Sequence, residues 1–152
     1  TIVPLPFPDD LYVTIIHPHI EIKTKEARQL LPKQVELSSA IQQTGNLAGL
    51  VAGLFLKDYK LIGKSTKDVL IEPARKSLIP HFDLLKESAF KNGGIAFGIS
   101  GSGPSMFTLS KGVETAKNVE FELLSILKEK NLETDSYVSP VSHAGNHIID
   151  KK

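Results

Sequence analysis

The sequence predicts an α+β domain, a ferredoxin-like βαββαβ antiparallel sheet with extra helices inserted after the first strand. Three observations carry that reading. Short runs of strand character fall at about 11–17, 95–99, 105–110 and 136–141. Several segments of helical period lie between the first and second runs, and one lies between the third and fourth. A glycine-rich turn alone joins the second run to the third.

Each element has a local cause. Prolines at 4, 6 and 8 keep the opening extended, so residues 1–10 read as a connector from an upstream domain and 11–150 as the domain itself. Val13, Thr14, Ile15 and Ile16 make 11–17 a near-continuous apolar strand of the kind buried at a sheet centre, which Pro18 ends. Thr24 is expected to cap a short helix carrying Glu26, Ala27, Arg28 and Leu30, stopped before Pro32. From about 35 to 56, Ala40, Ile41, Leu47, Ala48, Val51, Leu54 and Phe55 form a stripe of helical period, which predicts the longest helix and a core element. Residues 61–66 predict a short helix. Residues 78–92 predict another, with Leu78, Phe82, Leu85 and Ala89 on one face and Gly93-Gly94 as its stop. Ala116, Val119, Leu123 and Leu127 define an amphipathic helix running to about 130, before the last strand.

Composition narrows the function. The chain has 152 residues and 41% hydrophobic side chains, enough for one domain with its own core. Eighteen Lys and Arg against 17 Asp and Glu, without long runs of one sign, leave no electrostatic footprint for nucleic acid or an anionic membrane. No apolar stretch reaches the roughly 20 residues of a membrane span. There is no cysteine, hence no thiolate metal site, which agrees with a reducing compartment. Cytoplasm is the default localisation. His143 and His147, and His17 and His19, have spacings that raise zinc binding. The reading rejects it, since no third ligand is evident and Gly145 argues against a helix that would align the C-terminal pair.

The segment Gly98-Ile99-Ser100-Gly101-Ser102-Gly103-Pro104-Ser105 concentrates the chemistry. Glycines bring bare backbone close to a ligand, and successive N–H groups in such a turn can converge on an anion, so phosphate is the first guess. A tight hairpin is the plain alternative. A Walker loop or Rossmann turn would open a helix, whereas this one joins strand to strand. A serine nucleophile elbow fails as well, because Ser102 has Ser100 rather than glycine two positions before it.

This loop resembles the third sequence motif of the GHMP small-molecule kinases. Two further segments sharpen the likeness: residues 17–28, His-Pro-His-Ile-Glu-Ile-Lys-Thr-Lys-Glu-Ala-Arg, with Leu31-Pro32 after them, and residues 68–75, Asp-Val-Leu-Ile-Glu-Pro-Ala-Arg, running on to Leu78-Ile79-Pro80. Within the superfamily the chain is most similar to the C-terminal portion of the homoserine kinase family, over roughly residues 3 to 148. The family's ATP-binding loop, Pro-x-x-x-Gly-Leu-Gly-Ser-Ser, has no counterpart here. The expectation is the C-terminal domain of a longer kinase, inactive by itself.

The resemblance implies transfer of the ATP γ-phosphate to L-homoserine, giving O-phosphohomoserine on the route to threonine. It implies that Arg28 and Arg75 reach the substrate carboxylate, for which a planar guanidinium fork is better suited than lysine. By spacing alone either arginine is a surface charge. Thr24 is a further substrate-binding candidate beside its capping role. Glu72 is either a partner orienting Arg75 or a solvated residue. Ser100, Gly101, Ser102 and Gly103 would line the phosphate cleft, with Mg2+ held mostly by the N-terminal half. Phosphoryl transfer asks for positioning and charge neutralisation, so no catalytic triad is expected. The implied partners are homoserine, the chain's own N-terminal domain and a second copy in a homodimer. Two alternatives remain: a sister kinase acting on mevalonate or a sugar, and a non-catalytic amino-acid-binding module of ferredoxin-like plan.

Overall fold

The apolar run of β1 (Leu11–Pro18) occupies an inner position of the sheet, hydrogen-bonded on both edges. A computed structural model describes residues 3–142 and 144. β1 pairs antiparallel with β3 (Met106–Lys111) and with β4 (Thr134–Pro140), and β2 (Gly94–Ile99) pairs antiparallel with β3. The sheet order β2-β3-β1-β4 is the ferredoxin-like arrangement that the element order predicts. The helices are α1 (Thr24–Gln29), α2 (Leu37–Phe55), α3 (Tyr59–Ser65), α4 (Glu72–Arg75), α5 (Phe82–Lys91) and α6 (Val113–Glu129).

One sheet face carries the core. Ile16, Phe97 and Met106 pack against Phe82, Leu85 and Ala89 of α5 and Val119, Leu123 and Leu127 of α6. The buried positions of α6 are Ala116, Val119, Leu123 and Leu127, the set its periodicity predicts. Thr14 is fully buried among them, and its hydroxyl donates to the Ala116 carbonyl at 3.0 Å, which offsets the cost of burying a polar group.

The other sheet face is covered at its β2 end by α3, on which α2 lies. Glycines permit both approaches. A Cβ on Gly63 of α3 would stand 2.5 Å from the Ile95 carbonyl oxygen, and one on Gly53 of α2 would stand 2.9 Å from the Ile62 amide nitrogen. α2 thus inverts the sequence expectation. Its buried residue is Gly53, whereas Leu37, Ile41, Leu47 and Phe55 are each at least 60% exposed. The apolar stripe exists, but it faces away from this domain's core.

Three further expectations are corrected. Thr24 does not cap α1: Lys23 occupies the capping position, no side chain bonds the free amides, and Thr24 is already the first helical residue. The helix expected over 78–92 is broken. Lys76–Leu78 form a 3-10 turn, Ile79 is extended as a residue before proline should be, His81 takes a left-handed φ of 61°, and α5 starts only at Phe82. Gly93, at φ 96°, follows α5, whereas Gly94 opens β2 rather than ending the helix. The helix expected at 61–66 starts earlier, where the Asp58 carboxylate accepts from the Leu61 amide at 3.0 Å.

Residues 3–8 carry no helix or strand. The segment after them is tied to the α2–α3 corner by Asp9 to Lys57 at 3.2 Å and by a short hydrogen bond from the Tyr59 hydroxyl to Asp10. Burial and that carboxylate push the Tyr59 phenol pKa up.

At the other end of β1, His19 hydrogen-bonds Asp135 at 3.0 Å and lies 3.6 Å from Glu133. The Asp135 hydrogen bond raises its pKa most, partly opposed by desolvation. A raised folded-state pKa means the protonated form is the one favoured by folding. Its stabilising contribution is therefore present below the ordinary histidine value and fades as pH rises through the raised one. Proton NMR titration of the ring is expected to give a midpoint above the ordinary value, and Asp135→Asn should bring it back down. An unmoved midpoint would remove the proton from this contact. Of the histidines paired by spacing, His17 and His19 have ring centroids 6.2 Å apart. His143 and His147 lie outside the described residues.

Candidate phosphate and carboxylate site

The loop between β2 and β3 is closed on itself. Ser100 donates its amide to the Ser105 carbonyl at 2.8 Å, and the Gly103 amide donates to the Ser100 carbonyl at 3.1 Å. Gly101 and Gly103 hold φ of 62° and 80°, the left-handed region that a side chain disfavours. At its tip the amides of Gly101 and Ser102 have no hydrogen-bond partner among the described residues. A Cβ on Gly101 would meet nothing within 4 Å, so the tip of the loop faces open space. That is what a nest for an anion requires.

The two other sequence segments converge on this loop. A Cβ on Gly103 would lie 3.3 Å from both Ile22, in the lead into α1, and Ile79, just beyond α4. Arg75, the last residue of α4, donates from Nη1 to the Gly101 carbonyl at 2.9 Å. Its Nε is buried and has no hydrogen-bond partner among the described residues. Arg28 is exposed on α1 and makes no hydrogen bond to Arg75 or the loop. Thr24 is likewise exposed on α1, and its hydroxyl is free of the helix end.

Beside the loop opens a cleft of about 270 Å3 between α2, the α3–α4 connection and the sheet. Gln43, Asp68, Glu72, Gly101 and Phe107 are among its walls. Several of their side-chain oxygens are already engaged. Gln43 accepts from the Val69 amide at 2.9 Å, and Asp68 accepts from the amides of Leu70, Ile71 and Glu72 at 2.8–3.0 Å. Glu72 is bound by Lys86, which takes it away from Arg75 and from water. The reading of Glu72 as an orienting partner of Arg75 is therefore replaced by a pairing between α4 and α5. Sequence reasoning missed Gln43 and Asp68. Asp68 accepts from the amide two residues on, a turn that Asp favours, whereas nothing local identifies Gln43.

Residues 47–129, more than half of the chain, match the family model described as GHMP kinases C terminal. The chain belongs to the GHMP kinases. It is 44% identical over 151 residues to a homoserine kinase of Chlorobium phaeobacteroides strain BS1, covering 97% of this chain and 47% of the relative. It is 41% identical over 149 residues to one of Chloroherpeton thalassium, with the same coverage. Among solved structures it is similar to a homoserine kinase from Cytophaga hutchinsonii, with TM-score 0.89 and 50% identity over 91% of this chain and 44% of that one. The chain spans about half the length of the curated relatives it matches. These GHMP kinase relatives thus share the fold described above, with the β2–β3 glycine loop inside the matched region.

Proposed function

We propose that the chain is the C-terminal, substrate-side domain of an ATP- and Mg2+-dependent homoserine kinase, and that residues 1–10 connect it to an N-terminal nucleotide-binding domain. The observation that carries the proposal is Arg75, whose guanidinium is held against the glycine loop by the bond from Nη1 to the Gly101 carbonyl. A carboxylate held there would sit beside a loop whose two free amides suit a phosphate. The high identity to homoserine kinases over nearly the whole chain supports the substrate class.

Arg28 supplies the second cation for the carboxylate, and Thr24 a hydroxyl at the start of the same helix. The residues present fit the phosphates of ATP at Gly101 and Ser102. They offer Mg2+ little, because Asp68 already accepts three backbone amides and Glu72 is paired with Lys86. The metal would be held by the other half of the enzyme, and this domain alone would be inactive. A homodimer in the cytoplasm completes the reading, and no helix among the described residues is long and apolar enough to cross a membrane.

The test is ADP release by the longer kinase carrying this domain, assayed with homoserine, mevalonate and galactose in parallel and with this chain as control. Homoserine-specific turnover, absent from the isolated chain, is expected. Turnover with another alcohol alone would reassign the substrate and the two arginines.

A further inference from the structure

The glycine loop is braced from the sheet as well as from α4. Ile16 stands opposite Met106 in the β1–β3 ladder, so His17 and Ser105, the next residues outward, face each other where the ladder ends and the loop begins. The His17 Nδ1 and Ser105 Oγ lie 2.8 Å apart in a partly buried hydrogen bond. Ser105 is also the residue whose carbonyl accepts the Ser100 amide and closes the loop. One side chain on β1 thus fixes the residue on which loop closure depends.

We propose that His17 is a positioning residue for the phosphate-facing loop, acting through Ser105. The physical need is clear from the loop's composition. Gly101 and Gly103 give it the backbone freedom to reach its left-handed conformations, and the same freedom must be removed before two amides can act as a fixed donor pair. Preorganised donors stabilise developing charge because they need not reorient during the reaction. Arg75 restrains the tip of the loop through Gly101, and His17 restrains its root. The two restraints are separate: Arg75 also has a ligand to bind, whereas His17 has only the loop to hold.

The kinetic consequence rests on the function proposed above, whereas the structural one does not. In this chain, nitrogen-15 relaxation is expected to give lower order parameters at Gly101, Ser102 and Gly103 in His17→Ala and in Ser105→Ala, with the core resonances unchanged. In the longer kinase each substitution should lower kcat about tenfold, the scale of one lost hydrogen bond, with KM for homoserine nearly unchanged. The double variant should be no worse than the poorer single one, since both remove the same contact. His17→Asn, whose amide can reach the same hydroxyl, should restore most of the rate. Unchanged loop order parameters, or additive losses in the double variant, would overturn the proposal. If the longer kinase did not phosphorylate homoserine, the proposed function would fall, and the relaxation data on this chain would still decide the role of His17.

Discussion

Replacing Arg75 by alanine in the longer kinase is expected to raise KM for homoserine about a hundredfold, with a much smaller effect on KM for ATP. A hydrogen bond to a charged group contributes about 1.5–3 kcal/mol, and a hundredfold change in affinity corresponds to about 2.7 kcal/mol. Arg75 sits at the top of that range because its guanidinium is already oriented by the bond to the Gly101 carbonyl. Lysine should not rescue the variant, because a point charge can reproduce neither the fork nor the simultaneous bond to the Gly101 carbonyl. Steady-state kinetics with each substrate varied in turn checks this. An unchanged KM for homoserine would take the carboxylate away from Arg75. The exposed Arg28 side chain makes no hydrogen bond or ion pair among the described residues, so its alanine variant should affect substrate binding and leave the unfolding midpoint of this chain where it was.

The largest effect on stability is expected from Gly63→Ala, and its sign should be opposite to that of Gly45→Ala. Both glycines are in helices, where alanine is favoured by about 0.8–1 kcal/mol. A Cβ on Gly45 meets nothing within 4 Å, so that gain should appear nearly whole. A Cβ on Gly63 would be 2.5 Å from the Ile95 carbonyl oxygen, a backbone atom held in β2. α3 must then lift from the sheet, carrying α2 and the Ser65 and Thr66 wall of the cleft with it. A net loss of about 2–3 kcal/mol is expected, read as a lower urea midpoint at constant slope. If both variants moved the midpoint the same way, the close packing of α3 on β2 would be wrong.

The amino-acid order by itself determined several elements whose pattern is local. The spacing of Ala116, Val119, Leu123 and Leu127 specifies α6 and its buried face. The β-branched run at 13–16 makes β1 an inner strand, and three glycines in six residues mark the loop. Tertiary structure decided whatever depends on what an element meets. Periodicity shows that α2 has an apolar stripe, but the face that packs within this domain is the one where Gly49 and Gly53 let α3 approach, and close backbone contact leaves no hydrophobic signature. The break before α5 was written in Pro80, yet the apolar spacing of Leu78 and Phe82 outweighed it when read along the chain. The contacts of the site, Arg75 with Gly101 and His17 with Ser105, join residues 26 and 88 positions apart. No local pattern encodes such pairs, because the sheet register and the path of α4 set them only after the chain has folded.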